Sequence, residues 1–235
     1  MTDPSQSPEF AAASPADLAR QARSEIVLAM AGIPFNRWLP PRFEAATTVR
    51  TPPEIAQRLV GAYATAVYAD YQGSGKGLKA SQEAVNAIES HLGIDLEQFL
   101  TPGEMAYLRQ ATPSGGDNAK FSWRYECCHV FLWALGFIPT LGVPCEECDV
   151  DEMAMLLKAL SSFDDLLPAA SPQPKEVLRD AADLILRYNW ACVDARLNHH
   201  PAPAGLNGEV AVEWHHAFNW LVGPGDDWDH ISTDT

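Results

Sequence analysis

The sequence predicts an all-α protein, a single compact domain of about eight helices with little or no sheet. Three observations predict it. No stretch alternates apolar and polar residues over the length of a strand. Apolar residues recur instead at helical spacing. Helix start signals, most clearly Ser or Thr followed by Pro and then an acid, stand before these segments.

Taken in order, residues 1–13 are Pro, Ser and Ala without pattern and read as a disordered arm, leaving 14–235 as the helical domain. Ser14, Pro15 and Asp17 open the first helix, with Leu18, Ala22, Ile26 and Ala29 as its apolar face and Gly32 with Pro34 as its stop. Thr51 with Glu54, and Thr101 with Glu104, form two capping boxes: the hydroxyl accepts from the third helical amide while the acid reaches back to the cap. They predict helices near 52–70 and 102–110, with another near 79–92. Residues 123–135 are apolar on nearly every side and predict a central helix stopped by Gly136. Asp149 and Glu152 cap the next, through about 160. Pro174 opens the longest, to about 198, with Val177, Ala181, Leu184, Tyr188, Ala191 and Ala195 on one face. The last runs over about 208–222. Trp228 and Ile231 predict that the acidic end docks onto the body.

Charge narrows the functional classes. Formal net charge is −15, with eight basic and seven acidic residues in 1–79 but eight and twenty-four in 80–235. Such a surface repels phosphate backbones, so nucleic acid is not the expected partner and a basic protein is. The longest apolar run, 130–138, falls far short of the ~20 residues of a membrane span. Five cysteines, an odd number in a domain large enough to need no staples, predict reduced thiols and a cytoplasmic location.

Motifs for catalysis are incomplete. Residues 73–77, Gly-Ser-Gly-Lys-Gly, lack both the first glycine and the hydroxyl of a phosphate loop and read as a connector. Cys145 and Cys148 form a Cys-x-x-Cys, but the carboxylates around them disfavour a thiolate, and the pair has no clear second pair for zinc. Glu-x-x-His occurs twice, at Glu126 with His129 and at Glu213 with His216. Each can offer a carboxylate and an imidazole from one helix face, which makes Fe, Mn or Zn held by these four residues the alternative, enzymatic reading. The main reading is structural. Arg124, Glu126, Glu213, His215 and Asn219 lie on two apolar helices, and buried polar groups must be partnered. Arg124 bridging to Glu213, with Glu126 and His215 completing the network, would bolt those helices together.

These segments together resemble a known family. The carriers are Gly32-Ile33-Pro34 with Leu39-Pro40, Arg50-Thr51 with Glu54 and Arg58, Thr101-Pro102 with Glu104, and Trp123-Arg124 with Glu126. They continue with 132–136, then Glu213, His215 and Asn219-Trp220, and end with Trp228-Asp229 and 233–235. From about residue 20 onward the chain resembles the bacterial family of domain of unknown function 4272. The resemblance implies a helical fold with Arg124, Glu126, Glu213 and Asn219 among its motif residues and brings no established activity; His129 and His216 stand outside the pattern. The expected function is therefore a non-catalytic binding module with an acidic surface, of the accessory or immunity kind, without a cofactor.

Overall fold

The computed structural model describes residues 13–42, 44, 47–225 and 227–235. The expectation of an arm over 1–13 falls, except for Ala13, outside the described residues. Among the described residues the regular structure is helical, with no strand. The helices are α1 (Pro15–Met30), α2 (Pro52–Gly73), α3 (Gly77–Leu92), α4 (Pro102–Leu108), α5 (Gly115–Ser122), α6 (Arg124–Ala134), α7 (Val150–Ala159), the single turn α8 (Leu166–Ala169), α9 (Lys175–Leu197) and α10 (Gly208–Leu221). All eight expected helices are present. The sequence reading missed α5, whose Ser114–Asp117 capping box precedes a polar, glycine-led turn, and α8.

Helix ends follow local chemistry. At α1 the Ser14 hydroxyl accepts from the Asp17 amide at 3.1 Å while Asp17 accepts from the Ser14 amide at 3.0 Å. At α4 the Thr101 hydroxyl accepts from the Glu104 amide and Glu104 accepts from the Thr101 amide. Gly136 ends α6 with φ +81°, and a Cβ there would collide with the Ser171 carbonyl. That close approach lets the Ser171 and Gln173 amides donate to the Leu135 and Ala134 carbonyls, which satisfies the last turn of α6.

Two helices form the centre. α6 is buried on nearly every side, as expected. α2 is the second: from Ile55 to Ala69 only Gln57 is exposed. Its small residues, Gly61, Ala62, Ala64 and Ala66, let neighbours approach closely, and they make it less conspicuous in sequence than a Leu-rich helix. α3, α5 and α6 pack on α2, α10 packs on α6 and α9, and α1 packs on α9.

Two faces differ from their sequence reading. On α1 the expected apolar face points outward: Leu18 is 53% exposed and Ile26 59%. The helix instead buries Asp17, Arg20, Ser24 and Leu28. The reason is electrostatic. The Arg20 guanidinium, 2% exposed, reaches Asp17 at 3.0 Å and, on α9, Glu176 and Asp180 at 3.2 Å. On α9 Tyr188, Ala191 and Ala195 of the expected face are buried, but in the first half of the helix the buried face is turned by about one residue to Leu178, Ala182 and Ile185, leaving Val177 exposed. Asp183 and Arg187, both buried, pair along that helix at 2.9 Å and make the polar face of α9 tolerable inside.

Candidate functional site

Arg124 opens α6 and Glu213 sits in the middle of α10; the guanidinium Nη1 meets the carboxylate Oε2 at 2.8 Å. The Cys127 thiol, one turn further along α6, donates to the same carboxylate at 3.3 Å. The Arg124 guanidinium also lies 5.1 Å from the Trp228 ring centroid, and Arg58 of α2 lies 5.1 Å from it as well. Arg58 in turn pairs with the buried Glu104 at 2.6 Å. The 3%-exposed indole is thus held between two cations, each with its own carboxylate, and this docks the C-terminal segment as its aromatic residue foretold.

The other expected members of the network belong to separate clusters. Glu126 accepts from the Trp214 indole N–H at 2.9 Å and from the Cys148 amide at 2.7 Å. His215 contacts Arg42 at 3.3 Å and the Asn189 side-chain amide at 3.0 Å. Asn219 donates to the Ser232 carbonyl at 2.6 Å. The single network is therefore corrected to four separate sets of partners. Helix geometry explains this: residues two apart point about 200° apart, so Glu213 and His215, like Arg124 and Glu126, cannot serve one centre.

The four alternative metal ligands do not gather either. Glu126 and Glu213 are committed as described, His129 stacks on Trp214 with centroids 5.6 Å apart, and His216 stands edge-on to Trp228 at 4.4 Å. Among the described residues no three His, Cys, Asp or Glu side chains are grouped as a metal would need. Burial drives both α10 imidazoles to the neutral form, aided for His215 by Arg42 and for His216 by Arg124; their pKa values fall to about 3 and about 2. Burial also pushes the thiols up. Cys192 rises to about 11, and Cys127, Cys128 and Cys148 rise further, with the Glu126 carboxylate adding to the effect at Cys148. These four thiols are protonated at neutral pH and are poor nucleophiles.

Open chemistry lies at the surface. One cavity, of about 940 Å³, lies between α9, α10 and the C-terminal segment; of its polar lining Asn207 caps α10 and Asn189 holds His215 and the Thr233 carbonyl, while Arg196, His200 and Glu209 are exposed. A second, of about 580 Å³, opens between α2, α3, α6 and α7. Tyr63, Asp70 and Tyr71 come from α2, Ile88 from α3, Tyr125 from α6 and Leu157 from α7. A third, of about 500 Å³, adjoins it and shares Asp70, Tyr125 and Val150. The Tyr63 and Tyr125 rings meet edge-on at 6.1 Å. Burial holds their hydroxyls in the neutral form, Tyr63 at about 12 with Cys128 and Tyr71 adding to it, and Tyr125 higher still, with Tyr63 and Asp70 adding to it. Asp70 is exposed and its carboxylate forms no hydrogen bond or ion pair among the described residues. The spacing 63, 67, 70, 71 was a legible helical face; that α6 would bring Tyr125 to it was not.

The family model described as "Domain of unknown function (DUF4272)" matches residues 20–231. The chain belongs to that family. In this member of DUF4272 the matched span runs from Arg20, the hub of the α1–α9 contact, to Ile231 just beyond the Trp228 clamp. No curated protein and no solved structure matches the chain.

Proposed function

We propose that this DUF4272 protein is a non-catalytic interaction module that offers an acidic surface to a basic protein partner, of the accessory or immunity kind. One observation carries the reading. Where α6 meets α10 the charged side chains are paired within the protein, Arg124 with Glu213 and Glu126 with Trp214 and Cys148, which supports a structural rather than a catalytic role for them. Protonated thiols and neutral, buried histidines support the same view. The −15 charge, concentrated beyond residue 79, supports a cationic partner whose approach is steered electrostatically. The five free cysteines favour a reducing, cytoplasmic setting. No helix among the described residues is long and apolar enough to cross a membrane.

Affinity capture with the full chain, washed at about 50 mM and at about 500 mM sodium chloride, tests the proposal. A specific basic protein should be retained in the first wash and released in the second. Retention that ignores salt, or no specific protein at all, overturns it.

A further inference from the structure

The cleft between α2, α3, α6 and α7 has the chemistry of a cation seat. Its walls are apolar where Val67, Ile88 and Leu157 line it, and it carries three tyrosine rings. The hydroxyls of Tyr63, Tyr71 and Tyr125 make no hydrogen bond among the described residues, while the Tyr63 and Tyr125 rings pack edge-on against each other. Asp70, the acid both cavities share, has no cation of its own. Asp151 and Glu147 stand at the two rims, and the exposed Glu146, Asp149 and Glu152 follow on the same loop and helix start. Two lysines and His91 also line the cleft, and one of them is informative: the Lys76 ammonium sits 3.9 Å from the Tyr71 ring centroid. The chain already places an ammonium of its own against the cleft's aromatic wall.

We infer that this cleft receives a lysine side chain of the basic partner, its methylenes along Val67, Ile88 and Leu157 and its ammonium among Tyr63, Tyr125 and Asp70. The inference rests on the interaction-module reading and specifies where that module binds. The physical basis is twofold. An ammonium over an aromatic face gains more as water is removed, and a long alkyl stem covers apolar wall while its charged head reaches an acid. Charge complementarity selects the occupant, because the acids at the rims carry the sign opposite to that of a lysine-rich segment.

The test is calorimetric titration of the full chain with octalysine in about 50 mM sodium chloride. Tyr125→Leu and Asp70→Asn should each weaken binding about fivefold. Tyr125→Phe, which keeps the ring, and Glu25→Gln, which removes one charge from α1 outside the cleft, should leave it little changed. Circular dichroism of each variant confirms folding; where Tyr125→Leu does not fold, Asp70→Asn at the exposed end of α2 decides alone. No heat with octalysine removes both the cleft and the module reading. Equal affinity in wild type, Tyr125→Leu and Asp70→Asn removes the cleft and leaves the module reading standing. Tighter binding of spermidine than of octalysine assigns the cleft to a free polyamine and overturns the lysine proposal.

Discussion

Arg124 and Glu213 join α6 to α10 through a 2.8 Å ion pair whose side chains are 8% and 17% exposed. Removing one partner leaves the other charged and poorly solvated. Glu213→Leu should therefore cost about 3 kcal/mol, whereas Arg124→Met with Glu213→Leu should recover most of that loss. Urea unfolding of the two single variants and the double variant checks it; additive losses would show that the pair is not coupled.

Gly61 lies in the interior of α2, where alanine normally gains about 1 kcal/mol of helix propensity. Here a Cβ would run into the Phe99 carbonyl and come within 2.5 Å of the Arg58 guanidinium. Gly61→Ala should lower the thermal midpoint, with a loss of about 1–3 kcal/mol, because the overlap strains the approach of the 96–99 turn and disturbs the Arg58–Glu104 pair. A raised midpoint would refute the close approach.

His215 and His216 are neutral in the folded chain down to about pH 3 and about pH 2. In the unfolded chain each takes up a proton near 6.5, so between that value and about 3 the unfolded state binds more protons. Stability is therefore full above 6.5 and falls as pH falls, by up to about 1.4 kcal/mol per pH unit for each histidine. Urea midpoints between about pH 6.5 and pH 5 should decline, and His216→Leu should make that decline shallower by about half. An unchanged slope would show that His216 does not titrate differently on folding.

Charge, not apolar area, fixes α1. Arg20→Met leaves Asp17 buried at 2% exposure without its cation and should cost about 3 kcal/mol. Ile26→Lys, on the outward face, should change stability by no more than about 0.5 kcal/mol. Thermal unfolding separates the two. A larger loss for Ile26→Lys would mean that this face is covered in solution.

The legible parts of the fold were those written in neighbouring residues. Thr101 and Glu104 are three apart and satisfy each other wherever the rest of the chain goes, so the start of α4 could be read directly. Gly136 marked the end of α6 for the same reason. α5 escaped because two glycines and a polar first turn carry weak helix propensity, and its packing against α2 supplies the stability its sequence lacks. In the candidate site the Arg124–Glu213 pairing could be proposed because a buried charge must find an opposite one. The Arg58–Glu104 pair and its meeting with Trp228 joins residues 58, 104 and 228, and no local spacing encodes that.

By itself, then, the sequence determined that this chain is all-α, where its capped helices begin, and that it carries a net charge of −15. These depend on hydrogen bonds and charges within a few residues. Only the tertiary structure decided which side of α1 faces inward, that Glu126, Glu213 and His215 serve three clusters rather than one, and that Tyr63, Asp70 and Tyr125 share a cleft. Burial depends on what the neighbouring helix offers: a carboxylate on α9 turns Arg20 inward, and the roughly 200° between residues two apart on α10 sends adjacent motif residues to different partners.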